Sequence, residues 1–309
     1  MKNIFLLLIV LLTIQNTAFS QISTASSAVV SEFKKSKFYV VLEKSITSTN
    51  VKYSKVVDSL EVKTDNSQIS EAAVSEFNNA MRYAMGSLWK ANKFEFITDK
   101  EFEEKKFASN SYFLIIAKCK TQDKEPELLN YLIIAQGGPK AKKVEKMTWL
   151  AAIPLSFSNV SDQYYNYKIP ALVQFLQNHI EYVFLNGPVE DKKVMDHYND
   201  KSKEIKNGVL YILQEDLTAK VYDQDAIAKI YKGEVKIATQ QEINDAIKNQ
   251  DPNVLFLHKV GPEKLADTGM CRKFILSAKG GELLYMNEHK ISNSKPEGLL
   301  ESDLKQLNK

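Results

Sequence analysis

The chain has 309 residues, enough for two domains at ~150 residues each. Hydrophobic residues make up 44% and charged residues 26%, the values of a soluble globular protein. With 41 basic and 38 acidic residues the net charge is +3, too balanced for a nucleic-acid binder. Lys140, Lys142, Lys143 and Lys146 follow Gly137-Gly138-Pro139 and read as a solvated hairpin tip.

Residues 1–20 read as a signal peptide. Lys2 supplies the positive n-region, residues 4–12 the apolar h-region, and Ala18-Phe19-Ser20 the cleavage pattern, with Gln21 as the mature start. The run is shorter than the ~20 residues that span a bilayer. No cysteine lies near the cleavage point and no later stretch is apolar enough for a membrane segment. The expectation is an exported protein, periplasmic or secreted.

Residues 21–36 begin Ser/Ala/Thr-rich and are expected to fray. Residues 37–43 hold a strand, and 45–66 a long polar connection with an extended piece near 52–62. Over 70–90 the residues Ala73, Phe77, Ala80, Met81, Ala84 and Leu88 recur at helical steps, with Ser70 as N-cap.

The most informative stretch then occurs twice. Phe94-Glu95-Phe96-Ile97 is followed by Thr98-Asp99-Lys100-Glu101, Phe102 and the apolar run at 113–116. Val235-Lys236-Ile237-Ala238 is followed by Thr239-Gln240-Gln241-Glu242, Ile243 and the apolar run at 254–257. Each Thr-x-x-Glu is a capping box, with Ile97/Phe102 and Ala238/Ile243 as hydrophobic staples. Thr98 and Thr239 lie 141 apart, while Gly137 and Gly280 lie 143 apart, as one insertion would give. The expected superposition places Phe96 on Ile237, Phe102 on Ile243 and Ile115 on Phe256.

Between the copies, residues 128–135 and 147–157 read as strands. Pro154 inside the second implies an edge position or a bulge. Pro170 opens a helix striped by Leu172, Leu176, Ile180 and Val183. The charged segment 187–207 reads as a solvated connecting helix and the boundary between a first repeat (21–186) and a second, shorter one (208–309). In the second, 209–213 is a strand, 225–231 a short helix, 272–277 and 283–291 strands, and 297–307 a short terminal helix. The fold class is α/β (α+β): two related repeats, each a mixed sheet with helices packed on it.

Chemistry leaves few marks. His179, His197, His258 and His289 have no metal-ligand spacing. There is no G-x-S-x-G elbow, dinucleotide fingerprint or P-loop, so neither a cofactor nor a catalytic residue is assigned. The glycine pairs 137–138 and 280–281 read as turns. Cys119, between Lys118 and Lys120, has no histidine partner and reads as an inert thiol. Whether it pairs with Cys271 is left open by the sequence. Tyr164, Tyr165 and Tyr167 can form a sugar-stacking or protein-contact patch, or pack over the neighbouring helix.

The order of elements from the helix ending in Leu88-Trp89, through Lys93–Ile97 and the capped helix, to Tyr112-Phe113-Leu114-Ile115-Ile116 and its hairpin resembles the α/β domain of the amino-terminal part of TolB and of CsgG-like bacterial envelope proteins. The resemblance covers about 38–157 and, less closely, 209–291. It implies a non-catalytic envelope module that binds protein partners. The chain departs from TolB in showing no propeller repeats and from the CsgG-like lipoproteins in lacking their lipidated cysteine. Two functions compete: an exported, non-enzymatic partner-binding module, and an exported hydrolase with its site between the repeats. A deep cleft with converging ionisable side chains favours the enzyme, and a shallow apolar patch the binder.

Overall fold

The computed structural model describes residues 25–43, 66–121, 125–187, 191–262 and 268–308. The expected signal peptide, and the polar connection up to residue 65, lie outside these residues. Far from fraying throughout, the amino-terminal stretch forms α1 (Ser27–Phe33), whose N-cap Ser26 accepts from the Val29 N–H. Val30 and Phe33, one turn apart, are buried, and the Phe33 ring meets Phe38 at 4.9 Å and Tyr112 at 5.3 Å. Next come β1 (Lys37–Val41) and α2 (Asn66–Tyr83). The latter begins four residues before the expected Ser70 and runs into a π-turn at Ala84–Leu88. Trp89 leaves the helix in extended backbone and packs its ring on Phe38 at 5.2 Å. There follow β2 (Phe94–Ile97), α3 (Asp99–Lys105), β3 (Ser111–Lys120), β4 (Leu128–Gln136) and β5 (Thr148–Phe157). Then come α4 (Ile169–Asn186) and α5 (Asp191–Asn199). The second half holds β6 (Val209–Leu213), α6 (Gln224–Ala228), β7 (Glu234–Ala238), α7 (Gln240–Lys248), β8 (Val254–Val260), β9 (Met270–Ser277), β10 (Leu283–Lys290) and α8 (Glu301–Gln306).

The two halves share one topology. Strand order is β2-β1-β3-β4-β5 in the first sheet and β7-β6-β8-β9-β10 in the second. In each, the first three strands in this order are parallel and the last pairings antiparallel. The capping boxes match closely: Glu101 and Glu242 each accept from their threonine's N–H at 2.8 Å and its hydroxyl at 2.9 Å.

Register fixes the alignment and corrects it in two places. Phe96 pairs with Val40 as Ile237 pairs with Ile212, which matches the expected superposition. However, Tyr39 pairs with Phe113 and its counterpart Tyr211 with Phe256, so Phe256 corresponds to Phe113, not Ile115. The extra residues lie in the capped helix, seven residues long in α3 and nine in α7. Likewise the Gly137 N–H donates to Ser111 as the Ala278 N–H donates to Val254. Gly137 therefore corresponds to Ala278, and Gly280-Gly281 sits two residues on, in the hairpin between β9 and β10.

The halves meet across α4. A helix buried on all sides has an apolar circumference, and here Ile169 through Leu176 are all buried. Gly281 comes so close that a Cβ there would lie 2.1 Å from the Ala171 carbonyl oxygen, and its φ of +60° also favours glycine. Polar contacts add to this seam: Gln174 and Gln250 share amide hydrogen bonds, and Asn178 donates to the Gly280 carbonyl at 2.8 Å. At the far end, fully buried Arg272 of β9 reaches Glu127, beside β4, at 2.7 Å, and Glu127 also accepts the Met270 N–H. β5, an edge strand with a register shift beside Pro154, offers the Pro154 carbonyl to His258 at 2.8 Å. The segment expected to be a solvated connection is tied down: α5 buries Val194 and Tyr198, and Asn199 bonds both backbone groups of Met286. Cys119 and Cys271 are free and buried, their thiols pushed up by burial to about 12 and about 11. Among the described residues no helix is long and apolar enough to cross a membrane.

Candidate ligand-binding cleft

A crevice in an open α/β sheet forms outside the carboxyl ends of neighbouring parallel strands whose connections leave in opposite directions. The pair β6 and β8 satisfies this. From β6 the chain passes through α6 to β7 on one side. From β7 it returns through α7 past β6 to β8 on the other. Beyond the carboxyl ends of these strands lies a cleft of about 420 Å³. Leu213, Glu215 and Asp216 line it from the end of β6, and Lys259, Val260, Gly261 and Pro262 from the end of β8. The first repeat closes the other wall with Leu155 and Ser156 of β5, the following loop including Ser161, Gln163 and Tyr164, and Lys168.

Glu297 also lines the cleft, held there by backbone pairing. The Leu299 N–H donates to the Asp216 carbonyl at 2.8 Å, and the Thr218 hydroxyl to the Leu299 carbonyl at 2.8 Å. Gly298 between them has φ +124°, and a Cβ would meet the Asp216 carbonyl oxygen at 2.9 Å. Lys259 bridges Asp216 at 3.2 Å and also pairs with Glu297. Burial opposes the Lys259 charge, but the two carboxylates outweigh it and hold its pKa above the ordinary lysine range.

Lys168 is different. It immediately precedes α4 and is only 2% exposed, yet it lines the cleft. Its Nζ donates to the Leu257 carbonyl at 3.3 Å. Burial draws its pKa down to about 8, with the charge of Lys259 adding to the fall and Asp216 and Glu215 opposing it. The positive end of the α4 dipole further disfavours the ammonium. Neighbouring His258 is held down to about 3 by burial and by Lys168. Being neutral, it donates Nε2–H to the Pro154 carbonyl, leaving a buried Nδ1 without a hydrogen bond among the described residues.

Neither a protein-family model, nor a curated protein, nor a solved structure matches this chain.

The three tyrosines separate. Tyr164 is 43% exposed on the rim of the cleft, whereas Tyr165 and Tyr167 are 2% and 6% exposed and face inward. The Tyr165 hydroxyl donates to Asp162 at 2.5 Å. Among the described residues the buried Tyr167 hydroxyl has no hydrogen-bond partner, and its pKa is raised by burial and by Asp216 and Glu215. Sequence reasoning missed Lys168, Glu215, Asp216, Lys259 and Glu297. Only Glu215-Asp216 carried a usable signal, two acidic residues just past a strand that pairs in parallel on both sides.

The first repeat has the equivalent point beyond β1 and β3. Val41 pairs with Ile97 as Leu213 pairs with Ala238, so Glu43 is the counterpart of Glu215. Burial, with Asp162, pushes the Glu43 carboxyl up to about 7. A second concavity of about 390 Å³ lies between α4, α5 and the hairpin after β9. Within it Lys201 pairs with Glu282 at 2.6 Å, and the His197 ring stacks on Tyr182 at 4.0 Å.

Proposed function

We propose that the protein is an exported, non-enzymatic binding module of the cell envelope, and that the cleft between its repeats receives its partner. The observation that carries this reading is Lys168, a buried lysine that faces a cleft walled by both repeats and, among the described residues, meets a carbonyl and the Tyr167 ring but no carboxylate at salt-bridge distance. Export is supported by the n-region, apolar run and cleavage pattern of residues 1–20, and the envelope by the resemblance to the TolB amino-terminal and CsgG-like domains. Binding fits the cleft better than turnover. Lys259 is engaged by both Asp216 and Glu297, so each of the three is held in an ion pair. The Ser156 hydroxyl accepts from the Asn130 amide, which is no base.

The test is a photo-crosslinking residue at position 164 in the protein within its own envelope, with the same residue at exposed Phe107 as control. Capture of a defined protein from position 164 alone supports the reading. Capture of the same set from both positions refutes it, as does capture of nothing by a cleft that also binds no small ligand.

The competing reading, a hydrolase in the same cleft, is favoured by the convergence of Lys168, Glu215 and Asp216. Turnover of chromogenic ester, glycoside or peptide substrates that Glu215→Gln abolishes would establish it.

A further inference from the structure

The buried cations of this chain follow a rule that one of them breaks. Lys106 meets Glu103 at 2.6 Å, Lys259 meets Asp216 at 3.2 Å, Arg272 meets Glu127 at 2.7 Å and Lys273 meets Asp303 at 2.5 Å. An ammonium removed from water without a counter-ion costs several kcal/mol, which is why buried charges are paired. Among the described residues Lys168 has no carboxylate at salt-bridge distance, and its described hydrogen bond goes to the Leu257 carbonyl. It shares the cleft with Lys259, whose charge is already taken up by Asp216 and Glu297.

We infer that Lys168 is the anchor for a ligand carboxylate, and that the cleft binds a small amino-carboxylate, either a free amino acid or a short peptide. This rests on the reading of the cleft as a receptor site. The charge around Lys168 decides the class. Facing it are Asp216 and Glu215 from the turn after β6, Lys259 and neutral His258 from β8, and the ring of Tyr167, whose centroid lies 5.2 Å from the ammonium. Glu297 adds a third carboxylate to the cleft. Three carboxylates against two lysines repel a dianion such as phosphate. A single carboxylate can sit on Lys168 if the same molecule brings a cation for Glu215, a half-buried carboxylate with no ion pair among the described residues. An α-amino acid or a di- or tripeptide carries both charges and fits a pocket in the usual range for small ligands. Tyr164 supplies an exposed ring at the rim for the ligand's apolar part.

The experiment is calorimetric titration of the full mature protein with each common amino acid, with di- and triglycine, and with the corresponding amides. The expected result is binding by at least one amino acid or glycine peptide. Its amide, which lacks the carboxylate, should bind at least about tenfold more weakly. Lys168→Met should weaken the carboxylate by a similar factor, with unchanged circular dichroism as the folding control. Glu215→Gln, at a half-exposed position, should weaken the free amine form but not its N-acetyl derivative. Because the lysine must be protonated to hold an anion, affinity should be flat below pH 8 and fall about tenfold per pH unit above it. Free amino acids against peptides distinguish the two sources. Binding untouched by Lys168→Met, or no binding of any probe at millimolar concentration, overturns the inference. Protein capture at position 164 without carboxylate binding overturns it while leaving the receptor reading intact. Failure of both overturns both.

Discussion

Replacing Lys168 by methionine should make the unliganded protein more stable, although it removes a hydrogen bond. Methionine keeps the length of the side chain and much of its volume, and takes away the charge. The size of the effect comes from the drop in the Lys168 pKa from 10.5 to about 8, which corresponds to about 3 kcal/mol held against the folded state while the amine is charged. The sign comes from linkage. Below pH 8 both folded and unfolded chains carry the proton, and the full cost applies. Between pH 8 and 10.5 only the unfolded chain keeps it, so wild-type stability rises with pH; above 10.5 the cost is gone. The hydrogen bond to Leu257, 3.3 Å long, returns about 1 kcal/mol at most. Lys168→Met should therefore stabilise by about 2 kcal/mol at pH 7, with the difference falling to zero at about pH 10 and reversing to about −1 kcal/mol above 10.5, where only the lost hydrogen bond remains. Urea unfolding monitored by circular dichroism at several pH values measures this directly. A variant less stable than wild type at pH 7, or a difference that does not shrink as pH rises, would refute the picture of an uncompensated buried ammonium.

Thr98→Ala and Thr239→Ala should each cost about 1 kcal/mol in unfolding experiments, because both threonines close the same capping box. Asp303→Ala should cost about 3–5 kcal/mol by stranding Lys273, since both side chains are fully buried and 2.5 Å apart. Limited proteolysis should then cut near α8, whose carboxylate also accepts from Tyr285 and Asn287. Glu43→Gln should leave stability unchanged at pH 4 and raise it at pH 8. The Glu43 carboxyl lies up near 7, so its neutral form suits the fold and its ionised form opposes it as pH rises; pH-dependent melting checks the crossover.

The duplication was legible because its signal is local. Thr-x-x-Glu at a strand end satisfies backbone donors within one turn, and the apolar strands on either side announce themselves by composition. The alignment slipped by two residues because insertion inside a capped helix leaves the box unchanged and only displaces the strands after it. α1 was illegible for lack of length: seven residues show a cap and two apolar positions, too few for a period. The cleft was illegible for another reason. Lys168 and Glu215 belong to no motif, and docking of one repeat on the other is the event that brings them together. That docking depends on the close approach at Gly281, the Arg272–Glu127 pair and the Pro154–His258 bond, none of which has a sequence pattern.

Duplicating a fold with a crevice at its strand ends makes two crevices, and here the two have parted in character. In the first repeat the counterpart glutamate, Glu43, lies close to Asp162 and to Tyr165, whose ring is buried and whose hydroxyl is committed to Asp162. Burial, with Asp162 beside it, keeps Glu43 about half protonated at neutral pH, a filled and inward-looking arrangement. In the second repeat Glu215 stays half-buried on an open cleft. The same connection after β5 serves both. Its Asp162 and Tyr165 close the first crevice, while Ser161, Gln163, Tyr164 and Lys168 form a wall of the second. A substitution in this connection should therefore alter the binding proposed for the cleft without touching its occupant, by loosening Tyr165, whose carbonyl holds the Lys168 N–H at 2.8 Å. The asymmetry also explains why the tyrosines that draw attention in the sequence divide as they do. Alternate positions along a tight turn face opposite sides, and only Tyr164 faces the cleft.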